Sequence, residues 1–238
     1  MANSNYLTLI ERGVQHWNQW KHEHSEARPE LTRIDLSDRN LNQIDLSQGE
    51  LIEANFTESK LIGANLRGCD LIRAKFARAN LRHACLEDAN LSRSSFVDAD
   101  LTRSSLERAD LTRVDFERAN LQGADLSQTN LIGANFRGAN LVWVNLGQAN
   151  LTGADLREAD LTGANLGEAN LTGVDLVDAN LTGANLGKVN LTKADLTHAN
   201  LNEANLRGAN LTGADLSQAD LNGTNLIEAD LDGVILRN

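Results

Sequence analysis

Every fifth residue from Leu31 to Leu236 is leucine or phenylalanine, without exception. No standard element tolerates that period. On a helix turning ~100° per residue, a step of five rotates the side chain by ~140°, so no apolar stripe forms. On a straight strand the same step carries the side chain to the opposite face. The chain must therefore bend inside every repeat. Two residues before each leucine stands a small residue, usually alanine, as at Ala54, Ala64, Ala74, Ala154 and Ala164. A spacing of two puts both side chains on one face of a short extended segment. The two positions after each leucine are variable and mostly polar, as in Thr162-Gly163 and Arg82-His83. They make a corner, and repeated corners wind the chain into a coil.

The phenylalanines say how many corners close one coil. All five lie at 56, 76, 96, 116 and 136, in steps of 20 residues or four repeats. The coil is therefore square, with every phenylalanine in one column on one wall. With coils ~4.8 Å apart, residues 31–238 give about ten coils, a rod ~50 Å long and four parallel sheets of coil-to-coil hydrogen bonds. The narrow interior explains the alanines, because two large inward residues per side would overfill it. All the Leu/Phe positions from 31 to 236, and the small residues two before them, are expected to point inward. Arg39, Gly49 and Ser59 occupy three of the small positions, so the first two coils are less regular. Lys60, Lys75 and Cys85 replace the Asn or Asp that usually precedes the leucine. There a ladder of polar side chains is interrupted.

The units "ADLTG", "ANLTG" and "ADLSQ" repeat the pattern A(D/N)LXX, and over residues 31–238 the chain resembles the pentapeptide-repeat family. That resemblance implies an all-β solenoid, a right-handed quadrilateral parallel β-helix; the handedness comes from the resemblance alone. The length, the unbroken register and the segment "WNQW" are similar to cyanobacterial members of the family that regulate heterocyst differentiation. This implies a non-enzymatic protein-binding scaffold acting as a positive regulator, which binds the transcription regulator HetR and opposes its inhibitor peptide. Other members inhibit DNA gyrase or topoisomerase by resembling duplex DNA. That is the alternative, and Arg78, Arg118, Arg137 and Arg157 dilute the acid on the Phe-column wall that it would use.

Residues 5–24, NYLTLIERGVQHWNQWKHEH, lack the five-residue pattern. Leu7, Ile10, Val14 and Trp17 follow helical spacing, extended by Trp20 or Lys21. The spacing predicts one N-terminal capping α-helix, with residues 1–30 as cap and linker and 31–238 as the β-helix. Trp17 and Trp20 form the core of this cap. An open solenoid edge would otherwise pair with other chains. At the other end, "VILRN" puts Ile235 where Asn or Asp is expected. It suits a covered last coil or a joint between two chains, so a monomer and a C-terminal-end dimer both remain open.

The formal net charge of −11 argues against wrapping nucleic acid. No apolar run approaches the ~20 residues of a membrane span, and MANSNYLTLIERGVQHW meets Glu11 and Arg12 too early for a signal peptide. Cys69 and Cys85 make no disulfide framework, and the plain reading is a reducing cytoplasm without a membrane partner. Catalytic, cofactor and metal sites are not expected. The "HEH" at 22–24 lacks helical zinc spacing, while His83 and His198 fall on distant coils.

Function then rests on outward positions. Trp143, after Val142, has Gly123 and Gly163 as its stack neighbours. The indole either lies flat over these glycines or stands free as an interface anchor. Ile52 and Ile72 stack on another wall, as a second patch or as tolerated apolar exposure. Arg73, Arg93 and Arg113 form a column with one arginine per coil. Like charges ~5 Å apart repel unless partnered. Asp70 and Asp110 on the same wall would make a salt-bridged face, and the sharper alternative is a site for an acidic partner. Charge is also uneven along the rod, with 11 basic and 9 acidic residues in 60–118 against 6 and 14 in 119–238.

Overall fold

Each letter of the repeat has a structural task. The corner closes when the small residue donates its N–H to the leucine carbonyl three residues back, at 3.0 Å from Ala54 to Leu51. The second corner residue is left-handed whether it is glycine (Gly163, φ 64°) or not (Trp143, φ 56°). Position i+2 of a type II turn requires that conformation. The Asn or Asp before the leucine steadies the same corner: Asp35 Oδ1 accepts the Ser37 N–H at 3.1 Å and its hydroxyl at 2.8 Å.

The computed structural model describes residues 4–237. The residue before each leucine pairs in parallel with the residue 20 further on, from Glu30 with Glu50 to Asp215 with Ile235. The coil therefore has four corners. The four expected sheets, however, are four stacks of isolated bridges. Extended backbone never runs far enough for a strand, because a left-handed corner residue recurs in every repeat. Buried Phe56, Phe76, Phe96, Phe116 and Phe136 stack with ring centroids 4.9, 4.6, 5.0 and 5.1 Å apart. Coil rise thus matches the ~4.8 Å spacing of paired strands.

Leucine and phenylalanine are buried at every fifth position from 31 to 216. The inward assignments need correction at Arg39 and in the last coil. Arg39 is exposed and approaches Glu11 at 3.9 Å, since an unpaired guanidinium cannot enter a dry core. Leu221 and Leu226 are only partly buried, and Leu231 and Leu236 are 46% and 64% exposed. No described coil lies beyond them. Inside the rod, Ser59, Ser94, Ser104 and Thr129 replace alanine by donating their hydroxyls to the carbonyl three residues back, at 2.6–2.8 Å. Outside it, asparagines link successive coils, as from Asn165 to Asn145 and Asn185 to Asn165, both 2.9 Å. Lys60, Lys75 and Cys85 bring no amide to that ladder, although their backbone bridges persist.

Two helices precede the rod where one was expected: α1 (Ser4–Glu11) and α2 (Val14–Glu23). Gly13 breaks the run with φ 107°, outside the helical region and open to glycine alone at little cost. Ile10, Trp17 and Lys21 are buried and Leu7, Val14 and Trp20 partly so, which is the stripe read from the sequence. Trp17 Nε1 donates to the Asp45 carbonyl at 2.5 Å, and Asn18 Oδ1 accepts the Asp45 N–H at 2.9 Å. Lys21, inside this packing, donates to the Ala27 carbonyl at 2.7 Å.

Candidate protein-binding surfaces

One groove gathers several of the sequence candidates. Ile72, Arg73, Arg93 and Arg113 line a depression of ≈ 520 Å³ together with Ser92, Asp110, Thr112 and Ile132. The sequence reading missed Ile132, which is 40% exposed and stands three coils from Ile72 in the same column. Ile52 lies one coil before Ile72, half-buried. The expected salt-bridged face is confined to one end. Arg73 meets Glu53 at 3.5 Å, and Glu53 is shared with Arg33 at 2.7 Å. Among the described residues, Arg93 and Arg113 have no ion pair. Asp110 is not theirs: its Oδ1 accepts the Thr112 hydroxyl at 2.6 Å and its N–H at 3.0 Å.

The diagonally opposite corner carries Trp143, 66% exposed, beside half-buried Val142. The two expected glycine neighbours are not equivalent. A side chain added at Gly163 would meet the indole at 2.5 Å, whereas one at Gly123 would meet only the Arg103 Cγ, at 3.6 Å. The ring therefore leans over Gly163 and leaves its other face to solvent. It also sits on left-handed backbone (φ 56°), which is costly for a bulky residue and nearly free for glycine.

A third feature was not read from the sequence at all. A groove of ≈ 640 Å³ is floored by Asn145, Asn165, Asn185 and the glycines 147, 167 and 187. Its amides are spent on the ladder and on the glycine N–H groups, as at Gly167 to Asn165 (3.2 Å). Glu168, Lys188, Arg207 and Glu228 also line it, but its shape comes from absent side chains.

On the Phe-column wall the charges alternate in sign from Glu58 to Arg118, and other arginines of the wall are also paired. Arg78 pairs with Glu58, Arg118 with Asp98 at 2.8 Å, Arg137 with Glu158 at 2.8 Å, and Arg157 with Asp155 at 2.5 Å. Hydrogen bonds from Arg118 and Arg157 hold the Asp98 and Asp155 carboxyls below their ordinary value of 3.8. A carboxyl depressed in the folded state lends stability above its unfolded pKa and loses it as pH falls through the folded one. The melting temperature should therefore hold down to about pH 4 and drop below it, more gently in high salt because these pairs are exposed. A melting temperature flat to about pH 2 would remove these pairs from the account.

Neither thiol is activated by its setting. Cys69 donates to the Leu46 carbonyl at 3.0 Å, and burial pushes its pKa up to about 12. Cys85 is exposed, and partial desolvation raises it too. Among the described residues no His, Cys, Asp and Glu side chains cluster as a metal site, and no helix is long and apolar enough to cross a membrane.

Overlapping segments from 30–68 through 199–238 match the family described as "Pentapeptide repeats (8 copies)". The chain belongs to the pentapeptide-repeat family. Membership implies the right-handed sense of the square coil. The chain is similar to HetL, a pentapeptide repeat protein involved in heterocyst differentiation regulation from the cyanobacterium Nostoc sp. strain PCC 7120. Identity is 33%, over 92% of this chain and 95% of that one, with a TM-score of 0.47. It is 40% identical to Rfr23 from the cyanobacterium Cyanothece 51142, over 39% of this chain and 59% of that one, with a TM-score of 0.31. QnrB1, a plasmid-mediated fluoroquinolone resistance protein, is 21% identical over 86% of this chain and 90% of its own, with a TM-score of 0.48. No curated protein matches.

Proposed function

We propose that this protein is a non-enzymatic scaffold that binds a protein partner through outward side chains of a rigid rod. Its role in this reading is positive regulation of heterocyst differentiation in the cytoplasm, by binding the transcription regulator HetR and opposing its inhibitor peptide. The regulatory part is supported by the 33% identity with HetL along 92% of the chain. The binding part is carried by Trp143. A large aromatic that is 66% exposed, on backbone where glycine would be less strained, contributes little to the fold that holds it. Tryptophan is also among the residues on which interface affinity concentrates. DNA mimicry is disfavoured because arginines dilute the acid on the Phe-column wall and pair with part of it, and a supercoiling assay should show no gyrase inhibition.

The deciding measurement is HetR binding against melting temperature in Trp143 variants. Trp143→Ala should leave the melting temperature nearly unchanged and weaken binding at least ~10-fold, or ~1.4 kcal/mol. Trp143→Gly should weaken binding equally while raising the melting temperature, because the left-handed strain is relieved. Loss of stability with binding intact would make Trp143 a packing residue and remove it from the site.

A further inference from the structure

We propose that the groove between Ile72 and Ile132 takes an acidic amphipathic helix of a protein partner. Two carboxylates of that helix engage Arg93 and Arg113, and two apolar side chains rest on the isoleucines. The inference deepens the scaffold reading and rests on it. Its starting point is the two guanidiniums without an acid among the described residues. At the corner that carries Glu58, Arg78, Asp98 and Arg118, opposite charges follow one another and each arginine bonds the acid one coil before. At the groove corner three arginines follow one another, so only Arg73, beside Glu53, is satisfied. Arg113 Cγ lies against the bare backbone of Gly133. Small Ser92 and Thr112 leave the space between the isoleucines open.

The spacing selects the partner's secondary structure. Ile72, Arg93, Arg113 and Ile132 stand on four successive coils, and the coil rise is 4.6–5.1 Å. At ~4.8 Å per coil their heights are about 0, 5, 10 and 14 Å. Same-face residues of a strand recur every ~6.7 Å and fall out of step. A helix rising 1.5 Å per residue puts positions i−3, i, i+4 and i+7 at about 0, 4.5, 10.5 and 15 Å, all on one face. The complementary pattern is Leu-x-x-Glu-x-x-x-Glu-x-x-Leu. Charge and apolar contacts then match the groove in order and in height.

The probe is a stapled helical peptide with that pattern and alanine elsewhere. Its control is an isomer of equal composition and helicity with the two glutamates moved to the opposite face. Fluorescence anisotropy should show the patterned peptide binding at least ~10-fold tighter than the isomer, with affinity falling as salt rises through the range where the Debye length shrinks below about 10 Å. Arg93→Glu/Arg113→Glu should lose this preference, Arg93→Lys/Arg113→Lys should retain part of it, and Ile132→Ala should weaken binding several-fold. Arg103→Glu, which removes an arginine also without an ion pair among the described residues but on another corner, should change nothing. Equal affinity for the two peptides, wild-type binding by Arg93→Glu/Arg113→Glu at unchanged melting temperature, or an equal loss with Arg103→Glu would overturn the proposal. If HetR binds through Trp143 while neither peptide binds, the groove fails and the scaffold reading stands. If the patterned peptide binds and HetR does not, the groove stands and that partner is wrong.

Discussion

Replacing Phe96 with alanine should cost about 3–5 kcal/mol in denaturant-induced unfolding, the largest single-residue loss expected in the rod. Phe96 is fully buried at the centre of its column, with neighbouring ring centroids at 4.6 and 5.0 Å. The coil above and the coil below are held at fixed height by their bridges, so the wall cannot collapse into the cavity. Leu126→Ala should cost ~2–5 kcal/mol for the same reason. The outward comparison is Thr162→Ala. Its hydroxyl donates to Asp160 at 2.5 Å and accepts from Asn180 at 2.9 Å, so the change is not silent. One net hydrogen bond contributes only about 1 kcal/mol, and Thr162 should stay well below Phe96. Equal losses at the two sites would contradict the inward and outward assignment. Each coil touches only its neighbours, so the effect of Phe96→Ala should be concentrated mid-rod and read most clearly as local loss of amide protection.

The square coil was legible because one amino acid type marked it: the phenylalanines recur every 20 residues, and backbone pairing has the same step. Inward and outward alternation followed from the Ala-x-Leu spacing. Arg39 escaped that logic because position in the repeat outranks residue type only when the residue can live inside. Glycine inside the helical pattern at position 13 was a visible signal for a break, and the apolar stripe running through it masked that signal. The ionic state of the arginines was also within reach. Stepping by 20 from Arg78 meets acids on both sides, while stepping by 20 from Arg93 meets arginines. What stayed hidden is shape. Ile132 becomes one end of a groove only because Ser92 and Thr112 are small between it and Ile72, and the Asn-Gly groove is defined by side chains that are missing.

Removing residues 1–28 should convert the rod into an aggregating species, because the two helices supply what a preceding coil would supply. In each later coil the bridging residue donates its N–H to the coil before and accepts an N–H from it, as Asn65 does with Ile44 (2.8 Å) and Leu46 (2.8 Å). Asp45 is such a bridging residue, and its two groups face the helices instead. Asn18 Oδ1 accepts its N–H at 2.9 Å, and the Asp45 carbonyl accepts the Trp17 Nε1–H at 2.5 Å. The helices also carry buried Ile10 and Trp17, which join the same core cluster as Leu31, Leu36, Leu41 and Leu46. Truncation therefore frees a polar edge and an apolar surface together, the combination that recruits another chain. Size-exclusion chromatography with light scattering should show higher-order species forming with concentration, and Trp17→Ala alone should cost about 3–5 kcal/mol locally. A truncated rod that stays monodisperse with unchanged melting would mean that the helices serve some purpose other than closing this edge. Aggregation suppressed by restoring residues 1–28 with Trp17 intact, but not with Trp17→Ala/Asn18→Ala, would tie the protection to the two side chains that stand in for the missing backbone.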